Sequence, residues 1–152
     1  MEGDTMFSPA HFLQPVASNE AILDLIPQRP PIIMVDAFYG VDEMTSYSSL
    51  TVHADNVFFE DGKLREPGLV EHVAQSAAAR VGYVCQLEKR PVPVGFIGQV
   101  KNFKIHALPS EGDKLCTTVK IESEFGDISI ITATTYVEGN LMTECEMKIF
   151  LQ

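Results

Sequence analysis

The sequence predicts an α+β protein in which one antiparallel sheet wraps around one long central helix. Three observations in the 152 residues carry that expectation. From Pro67 to about Leu87 apolar residues recur with helical spacing and few charges intervene, as in a buried helix. The segments around it are rich in branched and aromatic residues and alternate with period two. Turn signals, Gly126-Asp127 and Gly139-Asn140, separate the last of these, so neighbours should pair as a meander.

In chain order, residues 1–17 carry Gly3, Pro9 and Pro15 without periodicity and are expected to form an irregular N-terminal arm. Residues 18–152 should form a single domain. Ser18 and Asn19 offer caps to a short helix, Glu20 to Ile26, that stops at Pro27. A strand is expected over Ile32 to Val41. A second follows over Thr45 to Ala54, with Leu50, Val52 and Ala54 on one face and Tyr47, Ser49, Thr51 and His53 on the other. The long helix has Pro67 in its first turn, where a missing N–H costs nothing. Leu69, Val70, Val73, Ala77, Val81 and Val84 line one face; Glu71, Gln75, Ala78 and Gly82 form a narrow opposite stripe. Four strands complete the chain: Val92–Ala107, Lys114–Glu122, Ile128–Val137 and Leu141–Leu151. In the last, Leu141, Thr143, Cys145, Met147, Ile149 and Leu151 alternate with Met142, Glu144, Glu146, Lys148 and Phe150, the pattern of a half-buried strand.

Composition narrows the function. An apolar content of 45% is too high for global disorder. With 21 acidic against 11 basic side chains the net charge is −10, which argues against nucleic acid and against an anionic membrane surface as partners. Cys85, Cys116 and Cys145 are widely spaced and odd in number, so reduced thiols in a cytoplasmic protein are expected. Met1 to Met6 is acidic and lacks the apolar stretch of a secretory signal. No run has the roughly 18 uncharged apolar residues of a transmembrane helix. No cluster has metal-ligand spacing, and no metal or cofactor is expected.

Three stretches carry a family resemblance. The first is Ile22-Leu23-Asp24-Leu25-Ile26-Pro27-Gln28-Arg29-Pro30-Pro31-Ile32-Ile33-Met34-Val35-Asp36. The second is Phe58-Phe59 followed by Pro67-Gly68-Leu69-Val70-Glu71-His72-Val73-Ala74-Gln75. The third is Gly95-Phe96-Ile97-Gly98-Gln99-Val100-Lys101-Asn102-Phe103-Lys104, then Pro109-Ser110-Glu111-Gly112-Asp113. In this order and spacing they resemble the 3-hydroxyacyl-(acyl-carrier-protein) dehydratases of the hotdog fold, over roughly residues 20–150. Around the helix the chain is most similar to a subgroup associated with aryl-polyene pathways.

The resemblance implies a hotdog fold, a homodimer with sites at the subunit interface, possible assembly into oligomers of dimers, and an acyl thioester on acyl carrier protein or coenzyme A as substrate. In such enzymes a histidine removes the α-proton, a carboxylate at the start of the central helix serves the leaving hydroxyl, and a backbone N–H polarises the thioester carbonyl. The carboxylate carries over to Glu71, the backbone donor to Gly68, and the glutamine one turn on to Gln75. Phe59 and Gly98 complete the substrate-binding positions implied. The histidine does not carry over: Phe58-Phe59-Glu60-Asp61-Gly62-Lys63-Leu64-Arg65-Glu66-Pro67-Gly68 is shorter than the family loop and holds none.

His72, next to Glu71, is the candidate substitute base, although a helix turns it about 100° away. Against it stands a bland flank position. His53 reads as solvent-exposed, His106 as structural, and His11 as part of the arm. Three functions stay open: a dehydratase or dehydratase-like protein of fatty acid or polyene biosynthesis, a thioesterase using Glu71 to activate water, and a non-catalytic acyl-binding or partner subunit. A carrier protein, itself acidic, would need a local basic patch such as Lys63, Arg65, Lys101 and Lys104.

Overall fold

The computed structural model describes residues 7–152. One seven-stranded sheet holds nearly all the extended structure, in the order β1-β2-β3-β7-β8-β9-β6. Its strands are β1 (Ala17–Ser18), β2 (Ala37–Asp42), β3 (Thr45–Thr51), β6 (Gly95–Ile105), β7 (Lys114–Phe125), β8 (Ile128–Val137) and β9 (Asn140–Leu151). A small hairpin, β4 (Phe59–Glu60) with β5 (Lys63–Leu64), precedes the helix α1 (Glu66–Glu88). All described pairings are antiparallel, and the sheet curls around α1 as expected.

The meander forms because its turns are chemically specified. β8 and β9 close through Glu138 and Gly139, both at positive φ, which suits the right-handed twist of a two-residue hairpin. Leu69, Val73 and Ala77 sit within the core, where Val73 and Ala77 pack with Val119, Ile131, Ala133, Cys145 and Met147 from β7, β8 and β9. Val81 and Val84, assigned to the same face, are only half-buried. The three cysteines are free and buried. Among the described residues no helix is long and apolar enough to cross a membrane, which says nothing of a β-barrel.

Several boundaries differ from expectation. The strand expected from Ile32 begins only at Ala37, because the backbone of residues 32–34 hydrogen-bonds to side chains of α1 instead of a sheet ladder. The helix expected over Glu20–Ile26 is a 3-10 helix, Asn19–Asp24, without a side-chain cap from Ser18. Six residues cannot offset helix nucleation, and Ile22 buries itself regardless. β3 ends at Thr51, and its second face is not solvated: Tyr47 and Ser49 are both buried. The cause is the arm. Of residues 1–17, the first six lie outside the described residues; the remainder form a 3-10 helix, Pro9–Phe12, and β1. Phe12 packs edge-on against Tyr47 and Tyr39, covering the face of β3 turned away from α1.

The stripe of Glu71, Gln75, Ala78 and Gly82 is covered as well. Residues 22–36 cross it, and a Cβ at position 82 would overlap the carbonyl oxygen of Leu25. Gly82→Ala is therefore expected to lower stability by about 1–3 kcal/mol through overpacking, despite a gain of about 1 kcal/mol in helix propensity. A urea unfolding midpoint equal to or above that of the parent would contradict this packing.

Candidate active site at the start of the central helix

The start of α1 is shaped by its contact with the small hairpin. Pro67 occupies the first turn, and the Arg65 N–H donates to the Phe58 carbonyl at 2.9 Å. A Cβ on Gly68 would lie 2.7 Å from Cβ of Phe58 and 3.1 Å from Cδ1 of Leu64, so only glycine permits this approach. The expected free donor at Gly68 is not free: its N–H donates to the Arg65 carbonyl at 3.0 Å, closing the first turn. Phe59 is partly buried against the cluster that includes Met34, Leu64 and Leu69.

One turn into the helix, Glu71 is half-buried. Its Oε2 accepts a hydrogen bond from Nε2 of Gln75 at 2.9 Å. Gln75 is fully buried, and its amide makes two further bonds: Nε2 donates to the Ile32 carbonyl at 2.8 Å, and Oε1 accepts from the Met34 N–H at 2.6 Å. A buried amide with every donor engaged has one orientation, because a flip would set donor against donor. The carboxylate is thus aligned by a side chain that cannot rotate.

His72 lies on the sheet-facing side of the helix, with no exposure. Its Nδ1 is 2.6 Å from the Met34 carbonyl oxygen and its Nε2 is 2.7 Å from Oγ1 of Thr117, which in turn lies 2.7 Å from Oγ1 of Thr135. Burial pushes the imidazole down to about 4, against which the bond to Met34 acts only partly. The flank position open to a substrate is therefore not where the ring sits: both nitrogens are occupied inside the protein. The other histidines are elsewhere. His11 stacks on Tyr47 with centroids 4.1 Å apart, exposed His106 pairs with Glu144 at 2.8 Å, and His53 is exposed. Among the described residues no histidine hydrogen-bonds Glu71.

The structure brings Gly68, Glu71, His72 and Gln75 together in two turns of one helix, with Phe59 nearby in the wall. Gly98 does not join them. It sits at a register shift of β6, where the Phe150 ring fills the space a side chain would need. Residue reading missed Ile32 and Met34, which act through backbone atoms, and Thr117 and Thr135, which look like ordinary strand threonines. It also missed Asp36, whose carboxylate accepts from the Thr51 N–H at 2.8 Å and from Ser49 Oγ at 3.3 Å, while burial raises its pKa. Among the described residues no group of three or more His, Cys, Asp or Glu could hold a metal ion.

One edge of the sheet is long and unpaired. β6 pairs with β9 on one side only, and Phe96, Ile97 and Val100 are 50%, 44% and 38% exposed. The opposite edge is the two-residue β1, too short to act likewise.

A curled antiparallel sheet around one long helix is the hotdog architecture, and Glu71 and Gln75 stand one turn apart at the helix start as the resemblance to hotdog dehydratases implies. Comparison narrows this further. Residues 20–152 match the ApeP-like family, described as ApeP dehydratase, and the chain belongs to that family. It is 30% identical over 128 residues to the 3-hydroxyacyl-[acyl-carrier-protein] dehydratase FabZ of Streptococcus thermophilus, covering 80% of this chain and 87% of that protein. Among solved structures it resembles the dehydratase heterocomplex ApeI:P from Xenorhabdus doucetiae, with a TM-score of 0.80, 14% identity and 92% of each chain covered. A hypothetical thioesterase with coenzyme A from Streptococcus pneumoniae also shares the fold, at a TM-score of 0.61 and 10% identity over 76% of this chain and 84% of that one.

Burial of His72 has a consequence for acid stability. The unfolded chain binds a proton at this side chain near pH 6.5, the folded chain only near 4, so stability is complete above the first value and falls as pH drops between them. From pH 7 to pH 5 the loss from this residue should be about 2 kcal/mol. Denaturation of the parent and of His72→Asn at both pH values measures it: the pH-dependent difference should shrink by most of that amount in the variant.

Proposed function

We propose that this chain is a dehydratase subunit that supplies the carboxylate, but not the imidazole, of a composite site acting on 3-hydroxyacyl thioesters. The observation that carries this reading is the half-buried Glu71 carboxylate aligned by Gln75, to which no histidine among the described residues hydrogen-bonds. Elimination of water needs a base for the α-proton and an acid for the departing hydroxyl. With Glu71 as the acid, its proton leaves with the hydroxyl as water while a base takes the α-proton and the C2–C3 double bond forms. The base comes from a second hotdog subunit docked along β6.

Support for this partner is physical and comparative. Eleven residues of open strand, with exposed Phe96, Ile97 and Val100 among them, form a template for another sheet. The structural relative from Xenorhabdus doucetiae is itself a dehydratase heterocomplex. Without such a partner, β6 pairs with a second copy, giving a homodimer. Relatives acting on acyl carrier protein make a carrier-bound acyl chain the favoured substrate, in fatty acid or polyene-type synthesis.

The protein alone, and mixed with a histidine-bearing hotdog dehydratase subunit, is to be incubated with a 3-hydroxyacyl thioester and separately with a saturated acyl thioester. Enoyl product should form only in the mixed complex, beyond what the second subunit makes by itself, and Glu71→Gln should reduce that increment by about 10²-fold or more. Full dehydration by the chain alone would show that its base is internal, and release of free thiol would favour a thioesterase using Glu71 to activate water.

Oligomeric state gives a second test. The protein alone should scatter light as a dimer at micromolar concentration, and Phe96→Asp with Ile97→Asp should yield monomers, because charges on an apolar strand edge block pairing. A dimer unaffected by both changes would place the interface elsewhere.

A further inference from the structure

We propose that His72 is a positioning residue for Glu71, acting through Met34: it fixes the backbone on which the Gln75 amide, and through it the carboxylate, is aligned. The inference rests on the reading of Glu71 as the acid of the site. Its foundation is the direction of each hydrogen bond. The Met34 carbonyl can only accept, so Nδ1 of His72 carries the proton. Nε2 must then accept from the Thr117 hydroxyl, and Thr117 must accept from the Thr135 hydroxyl. One carbonyl thereby dictates the tautomer of the ring and the rotation of two hydroxyls.

On the other side of the same residue, the Met34 N–H can only donate, which places Oε1 of Gln75 toward it. The two hydrogens on Nε2 are then directed to Ile32 and Glu71. Met34 is held at a third point, since Asn56 Nδ2 lies 3.3 Å from its sulfur. Its side chain is fully buried, so it has no room to settle differently. Loss of the His72 donor would orphan the Met34 carbonyl inside the core, and the segment would shift to regain a partner. Gln75 would lose its reference, and Glu71 its alignment.

Two near-isosteres separate this role from simple space filling. Asparagine places an amide nitrogen near the position of Nδ1 and keeps the bond to Met34. Glutamine reaches instead toward the position of Nε2 and keeps the contact with Thr117. By NMR, exchange of the Gln75 side-chain amide protons and the titration curve of the Glu71 carboxyl carbon report the alignment directly. His72→Asn should leave both close to the parent; His72→Gln and His72→Leu should speed exchange by about tenfold or more and displace the curve. Equal behaviour of the Asn and Gln variants, or no change in a folded Leu variant, would overturn the proposal. Should none of the variants fold, nitrogen shifts of the parent's ring decide: a protonated Nδ1 with a bare Nε2 supports it, and the reverse tautomer overturns it. None of these readouts uses turnover, so an inactive protein with an ordered Gln75–Glu71 pair would count against the dehydratase reading alone.

Discussion

Everything near the candidate site depends on how α1 grips the backbone of Met34. A segment crossing a buried helix must satisfy its peptide groups, and at Met34 no strand of the sheet is the partner. The helix supplies side chains instead: Gln75 accepts the N–H, and His72 donates to the carbonyl. Two polar residues enclosed in a core are costly unless every atom is paired, and here the amide of one and the ring of the other are paired completely. The arrangement therefore stabilises the crossing and leaves one spare donor, on Gln75, for the carboxylate of Glu71.

The crossing also explains why the helix is polar and small on that stripe. Glycine at 82 admits the carbonyl of Leu25, and Ala78 and Ala79 pack in the cluster that holds Ile22, Val35 and Phe38. The stripe is a seat for the chain's own residues. Glu71 itself remains half-exposed at the helix start, with Phe58 and Phe59 partly buried against the neighbouring cluster of Met34, Leu64 and Leu69.

Much of the fold was legible from residue pattern because burial imposes a period. The ends of β8 were expected at Ile128 and Val137 and lie there, since turn residues at both ends leave the ladder no other register. The limits of β2 were not legible: Ile32 to Asp36 has strand-forming composition, but the Ile32 carbonyl and both peptide groups of Met34 bond to side chains of α1 more than 35 positions away. Burial of Tyr47 was hidden for the same reason, because an irregular arm gives no periodic sign of where it will lie. At the site, Glu71 and Gln75 were visible as polar residues on a buried stripe. The role of His72 was not, because adjacency to a glutamate in sequence says nothing about which side of a helix a ring enters.

The largely exposed edge strand has a meaning for the cell beyond the site itself. β6 is the longest uncovered element among the described residues, and backbone pairing along it discriminates little between one extended chain and another. Which chain occupies it is therefore a matter of supply as much as of fit. A newly made subunit that meets its proper neighbour early is protected; one made in excess presents a sticky margin to every unfolded segment nearby. If a second subunit covers β6 as proposed, balanced production of the two, or assembly while one is still emerging from the ribosome, would limit that exposure.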